Sequence, residues 1–163
     1  MEQKKYKLTD ETISVDGRTL HRIEALIDIP GVVEAGDKGG WVESEINLSQ
    51  SGRAWVFDDA MVYDRAWVYG HAFVSGRAKV YGHAKVYGRA KVYGSAEVYD
   101  SACVYGYAKA RDNARVYGHA RLYGGAKVYG NAWVHDRAWA YGNAEVRGYA
   151  RLYGNATERG DIR

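Results

Sequence analysis

The chain has 163 residues, of which 47% are hydrophobic and 26% are charged, and its net charge is +3. This length suits a single domain with its own core, and the hydrophobic content excludes a disordered chain. The single cysteine excludes a disulfide framework and a cysteine-rich zinc site, and no apolar run is long enough to span a membrane.

The first 53 residues differ from the rest and predict a small N-terminal β structure. The alternating segment 12–20 surrounds Asp16-Gly17, a pair that favours a two-residue hairpin turn. A further strand is predicted for residues 20–29 and a loop for residues 36–40, and the segment from Trp41 leads into the repeats. We assign residues 1–40 to a capping β-hairpin region, because the end of a stacked sheet exposes unpaired strand edges.

From Ala54 the chain repeats every six residues, through 17 hexads without insertion or deletion. Every hexad begins with Ala, and its third residue is Val in 13 of the 17. Apolar residues at positions one and three indicate a short strand with one buried face, and Gly or Asp at position five suits a tight corner. Each hexad is predicted to form a strand of about three residues and a corner, with three hexads, or 18 residues, in each coil.

This repeat resembles that of the hexapeptide-repeat superfamily, whose members form left-handed parallel β-helices. The resemblance implies an all-β fold: a single-stranded left-handed parallel β-helix of about six regular coils, with a small N-terminal β cap. We place the β-helix at residues 41–157. Because Glu158 occupies an apolar position of the hexad, residues 158–163 are predicted to be a C-terminal tail.

The run GGWVESEINLSQSGRAWV supports a narrower resemblance. It is similar to uncharacterised bacterial and prophage hexapeptide-repeat proteins, which are often labelled polymer-forming or transferase-like. That likeness implies a phage-associated origin and brings no activity with it.

At a period of 18 residues, the tyrosines at position four form columns along the corners. The column without interruption contains Tyr69, Tyr87, Tyr105, Tyr123 and Tyr141. Trp67 and Trp139 share the adjoining face, with Lys85 and Arg121 beside them. Stacked tyrosines that merely cover a corner would explain such a column, but five in register also indicate an interface. We expect a homo-oligomer, a trimer first and a dimer second, with these nine residues as interface or binding candidates.

The other aromatic columns are interrupted, one at His135 and one at Ser75, Arg111 and Arg147. Trp55, Trp67, Trp133 and Trp139 all fall at outward position two. They are expected either to pack against the ends of the chain or to form an aromatic patch for a partner.

Residues 54–155 carry 14 Lys and Arg against 8 Asp and Glu. A solvated surface explains this excess, and attraction of an acidic protein or a small anionic ligand is the alternative. Lys79, Lys85 and Lys91 are predicted to lie on three different sides, as a belt rather than a patch, so nucleic acid is not an expected partner.

Enzymatic interpretations find little support in the sequence. His71, His83 and His119 occupy polar corner positions, where solvated histidines are common. His83 and His119 lie 36 residues apart, as do two zinc ligands of γ-class carbonic anhydrases, but Gly124 stands where the third ligand would be. Two coils separate them by about 9.6 Å, too far to share one zinc ion. Cys103 is expected to be an exposed spare thiol.

We therefore expect no catalytic residue, no cofactor and no metal. The predicted function is a non-enzymatic structural or binding scaffold that displays Tyr, Trp and basic columns to a partner. The alternatives are a hexapeptide acyltransferase with an intersubunit site and a phage anti-defence factor that binds a host protein or a nucleotide signal. The single cysteine and the polar start of the chain predict a cytoplasmic location without a membrane partner.

Overall fold

The computed structural model describes residues 3–162. Apart from a short 3-10 helix at Glu45–Asn47, the regular structure is β, and it stacks into a parallel solenoid of about seven turns. No helix among the described residues is long and apolar enough to cross a membrane.

The N-terminal segment forms the predicted hairpin. Strand β1 (Tyr6–Val15) pairs antiparallel with β2 (Arg18–Ala25). Asp16 and Gly17 join them with positive φ values of 50° and 77°, which matches the twist of a two-residue turn. The predicted strand at 20–29 is therefore the second arm of this hairpin, and it ends at Ala25.

Strand β3 (Lys38–Val42) connects the hairpin to the solenoid, so the predicted loop at 36–40 is wrong from Lys38 onward. This strand pairs antiparallel with β2 and parallel with Met61–Val62 of the first complete coil. Its glycines permit this close approach: a β-carbon on Gly40 would lie 2.6 Å from the carbonyl oxygen of Ala60.

The solenoid strands lie on three faces, which we call the first, second and third. The first face contains Met61–Val62, Lys79–Val80, Glu97–Val98, Arg115–Val116, Trp133–Val134 and Arg151–Leu152. The second contains Trp67–Val68, Lys85–Val86, Cys103–Val104, Arg121–Leu122, Trp139–Ala140 and Thr157–Glu158. The third contains Trp55–Val56, Phe73–Val74, Lys91–Val92, Lys109–Ala110, Lys127–Val128, Glu145–Val146 and Asp161–Ile162.

Parallel pairing within each face confirms the coil of 18 residues, as in Cys103 with Lys85 and with Arg121. Each strand has two residues rather than three, because the Ala that begins the hexad belongs to the preceding turn. In the repeated geometry, the Ala66 amide donates to the Tyr63 carbonyl at 3.2 Å. Strand pairing also extends into the segment predicted to be a tail, through Thr157–Glu158 and Asp161–Ile162.

The interior follows the predicted hexad pattern. Alanines at position one and the apolar residues at position three are buried, and Val104 lies between Val86 and Leu122 with no exposed surface. Every Gly or Asp at position five, from Asp58 to Gly154, has a positive φ. The corners therefore use the left-handed conformation that these two residue types tolerate best.

The hairpin closes the N-terminal end of this interior. Trp55 packs against the hairpin, the first of the two roles expected for the tryptophans at position two: it is completely buried and makes an edge-to-face contact with Tyr6 at 6.2 Å. Tyr6 and Lys5 are themselves buried. The Tyr6 hydroxyl donates a hydrogen bond to the Leu48 carbonyl, and the Lys5 ammonium group donates one to the Ala54 carbonyl. Position two faces outward in the regular coils, but the hairpin covers it in the first one.

Candidate binding surface

The second face carries the predicted central column. Register pairs join Trp67 to Lys85, Lys85 to Cys103, Cys103 to Arg121 and Arg121 to Trp139. Trp67 is 40% exposed and Trp139 is 39% exposed, at opposite ends of the column. The structure thus brings the four predicted Trp, Lys and Arg residues onto one side of the solenoid.

The five predicted tyrosines stand beside this column as a continuous stack. Neighbouring rings from Tyr69 to Tyr141 are 4.7 to 5.3 Å apart and within 9° of parallel. Trp67 continues the stack, with its ring centre 3.9 Å from that of Tyr69. Because the ring faces cover one another, each tyrosine is half-buried and presents only part of its surface to solvent.

Burial also makes three hydroxyls of this stack weaker acids. It raises the pKa of Tyr69, Tyr87 and Tyr105 above the ordinary tyrosine value, so their ionisation moves to higher pH.

The corner that follows this stack contains no acidic residue. Its position-five residues are Gly70, Gly88, Gly106, Gly124 and Gly142. The other two corners include aspartates at the same position, such as Asp58 and Asp100. The aromatic edge of the second face, which is its tyrosine stack, is therefore neutral, and the glycines at position five permit close approach by another backbone. Position six of the same corner does carry side chains, among them Arg89 and Tyr107.

The last coils of the second face form a shallow cleft. It is lined by His119, Arg121, Arg137, Trp139, Asn155 and Thr157. The Arg121 guanidinium lies 5.4 Å from the centre of the Trp139 ring, a distance that allows cation–π attraction. The cleft combines positive charge with one aromatic surface.

Cys103 lies in the middle of the second face and is half-buried, rather than exposed as expected. Burial raises the pKa of its thiol, and the nearby Arg121 and Lys85 charges offset part of that effect. A thiol in this environment is a poor nucleophile at neutral pH.

The aromatic column of the first face is not interrupted, which corrects the sequence-based expectation. His135 stacks between Tyr117 and Tyr153 at 4.8 and 5.6 Å, because an imidazole ring is flat enough to replace a phenol. This column is covered at one end by the hairpin, where Tyr63 is only 3% exposed. Trp133, on the same face, lies near two guanidinium groups, 4.3 Å from Arg151 and 5.4 Å from Arg115.

Among residues 3–162, no three His, Cys, Asp or Glu side chains lie close enough together to hold a metal ion. His83 and His119 stand two coils apart on one exposed corner, as their spacing predicted.

The third face carries a second in-register column that was not predicted. Lys91, Lys109 and Lys127 lie on adjacent strands of the third face. Lys79, Lys85 and Lys91 do lie on three different faces, as predicted. Residues at position two that are 18 apart, however, lie on the same face, and on the third face three of them in succession are lysines.

Comparisons with known proteins give no assignment. No protein-family model matches the chain, and no curated protein is significantly similar to it.

Proposed function

We propose that this chain is a non-enzymatic binding scaffold of the hexapeptide-repeat, left-handed β-helix type, and that its second face is a protein interface. The six-residue repeat and the 18-residue coils support the hexapeptide assignment. A phage-associated origin is part of the proposal and rests on the run GGWVESEINLSQSGRAWV alone.

The neutral aromatic edge of the second face carries the proposal. Five stacked tyrosines, about 19 Å from first to last at the spacing of parallel strands, are each followed by a glycine at position five. Tyr and Trp are enriched in interfaces because they bury a large area and retain a polar group. Lys85 and Arg121 supply polar groups around the aromatic surface, as interface rims do.

A second copy of the chain is the first partner that this edge fits. Identical edges match in length and straightness, and their tyrosine stacks do not repel one another because they are neutral. In an oligomer with closed symmetry, every copy makes the same contacts. We favour a trimer, in which three edges meet around one axis, over a dimer.

Tyr105→Arg tests this interface at the centre of the stack. It places cations from neighbouring copies against one another, and we expect it to shift the protein to monomer in sedimentation equilibrium. Arg111 occupies the same hexad position on the third face, with its guanidinium 4.2 Å from the Tyr129 ring, so an arginine is compatible with the fold.

Tyr93→Arg is the matched control, because it makes the same change in the interrupted column of the third face. This variant should retain the oligomer of the wild type. An assembly that survives Tyr105→Arg and dissociates with Tyr93→Arg would contradict the assignment of the interface to the second face.

The cleft at the end of the second face favours a second candidate function, the capture of a small anionic ligand with a flat ring. Arg121, Arg137 and His119 would attract the anion, and Trp139 would stack on the ring. Calorimetric titration with nucleoside monophosphates should show binding that Arg137→Ala weakens and Arg77→Ala does not, since Arg77 lies at the same hexad position on another corner. Binding insensitive to Arg137→Ala would exclude the cleft.

The acyltransferase alternative makes different predictions. Calorimetric titration should then show tight binding of acetyl-CoA, and an activity assay should show acetyl transfer that is lost in His83→Ala, His119→Ala or His135→Ala. The scaffold function predicts no acetyl transfer by the wild type.

A further inference from the structure

The third face places three lysines directly beside one another. Lys109 pairs in register with Lys91 on one side and with Lys127 on the other. Adjacent parallel strands are about 4.8 Å apart, so the α-carbons of the three lysines span roughly 10 Å. Lys91 is exposed, and Lys109 and Lys127 are half-exposed.

This arrangement opposes stability, because like charges directly opposite one another on a sheet repel. The first face shows that the same repeat accommodates alternation: at the equivalent position Lys79 is followed by Glu97 and then by Arg115. There the Arg115 guanidinium lies 3.9 Å from the Glu97 carboxylate. No described residue forms an ion pair or a hydrogen bond with the ammonium groups of the third-face lysines.

The side chains around the lysine column add positive charge and aromatic surface. In chain order, Arg89 precedes Lys91, Tyr107 precedes Lys109, and Arg111 follows it at position four. Tyr107 is 63% exposed, with the Arg89 guanidinium 5.7 Å from its ring centre. The face therefore presents five cations and an exposed ring within three coils.

The two carboxylates that border this surface are already engaged. Asp112 pairs with Arg111 at 3.3 Å and accepts the Gly130 amide at 3.0 Å. Glu145 lies in register with Lys127 and accepts a hydrogen bond from the Tyr129 hydroxyl at 3.0 Å. It offsets charge at the Lys127 end of the column, whereas Lys91 and Lys109 have no carboxylate beside them in the column, and this part of the surface remains open to an external polyanion.

We propose that the third face binds single-stranded nucleic acid, with phosphates along Lys91, Lys109 and Lys127 and a base stacked on Tyr107. A single straight row of cations fits one phosphate backbone, and a flat face beside an exposed ring allows unpaired bases to stack. Phosphates would also relieve the repulsion within the column. This inference goes beyond the proposed interface, because its lysine column lies on a different face and binding requires no self-association.

Fluorescence anisotropy with a labelled thymidine oligonucleotide over a series of salt concentrations tests the lysine column. Arg111 is already paired with Asp112, so if the other four cations each neutralise one phosphate, log affinity should fall against log salt with a slope of about −2.8, at roughly 0.7 per contact. Lys109→Glu should weaken binding roughly five- to tenfold and reduce this slope by about one contact. Lys79→Glu makes the same charge change at the same hexad position of the first face and should leave both unchanged.

A second pair of variants separates nucleic acid from other polyanions. Tyr107→Ala should weaken binding about fivefold or more without altering the salt slope, because it removes a stacking surface and no charge. Tyr149→Ala is the matched control: it lies at the same hexad position, is 83% exposed and stands on another corner.

The proposal is overturned if the wild type shows no salt-dependent binding of the single strand, or if Lys109→Glu and Lys79→Glu weaken it equally. Tighter binding of a duplex than of the single strand also overturns it, as does full binding by Tyr107→Ala. Repeating the titration with Tyr105→Arg distinguishes the two proposals, because this variant loses the oligomer and adds a cation on the corner that carries Tyr107, and it should therefore not weaken binding on the third face.

Discussion

Lys5 is buried beneath the N-terminal hairpin, at a position where a charged side chain is unfavourable. Its ammonium group donates to the Ala54 carbonyl oxygen at 2.7 Å, and only 2% of the residue is exposed. Burial lowers the pKa of Lys5 from 10.5 to about 8. The residue satisfies a carbonyl at the open end of the solenoid, and protonation in the folded state has a free-energy cost.

This burial predicts a specific pH dependence of stability. Between pH 8 and pH 10 the unfolded chain binds more protons at Lys5 than the folded chain, so the free energy of unfolding should rise with pH, by on the order of 2 kcal/mol. Urea unfolding should show this rise in the wild type and in Lys4→Met, which changes an exposed neighbour. Lys5→Met should lack it, and equal slopes in all three proteins would refute the assignment.

The burial and backbone conformation of single residues in the repeat could be predicted wherever one physical requirement dominated. The inward positions follow from strand alternation, and the corner positions follow from the need for positive φ. Packing of Trp55 against the end of the chain was among the expectations, but its complete burial and that of Lys5 were not predictable, because both depend on how the hairpin folds back over the first coil. No local pattern in the sequence encodes that docking.

At the scale of the hexad, the corner aspartates explain how the repeat tolerates a side chain at positive φ. Each one accepts a hydrogen bond from the glycine amide one coil later, as Asp100 does from Gly118 at 3.1 Å. This bond pairs a backbone amide and holds the corner of the next coil. Asp is therefore a stabilising corner residue when glycine follows it in the column.

Gly106 provides a test of this corner chemistry, because glycines precede and follow it in the column. Gly106→Ala should destabilise the fold by about 1–2 kcal/mol, since its φ is 65° and a β-carbon would lie 3.0 Å from the Gly124 amide nitrogen. Gly106→Asp should cost about 1 kcal/mol less, despite its larger side chain, because its carboxylate can accept that amide. Urea unfolding of both variants measures the difference.

If Gly106→Asp unfolds as readily as Gly106→Ala, the corner hydrogen bond contributes nothing. The same variant also concerns function, because it introduces negative charge beside the aromatic edge of the second face. A Gly106→Asp protein that folds well should self-associate less than the wild type, which would explain why this corner contains glycine in every coil.

The sequence indicated strand periodicity more reliably than the surface columns. The coil of 18 residues followed from three hexads per turn, and strand pairing confirms it. A surface column becomes visible only when residues 18 apart are compared along the whole chain. Lys91, Lys109 and Lys127 were overlooked because lysines of successive hexads, six residues apart, were compared instead. His135 was taken as an interruption because its residue type differs, although ring shape decides whether it stacks.

At the scale of the whole molecule, one interior supports three different surfaces. The first face alternates charge and is partly covered by the hairpin, the second has a neutral aromatic edge, and the third concentrates positive charge. Because the alanine and valine interior is the same beneath all three, outward residues can change with little effect on stability. The solenoid thus separates folding from binding.

The central claim is that the second face joins copies of the chain. Native mass spectrometry of the purified wild type measures the assembly directly, and it retains any bound ligand. The account predicts a closed oligomer of 18.2 kDa chains, three first and two second, that dissociates with Tyr105→Arg. A clean monomer at the highest accessible protein concentration would contradict it.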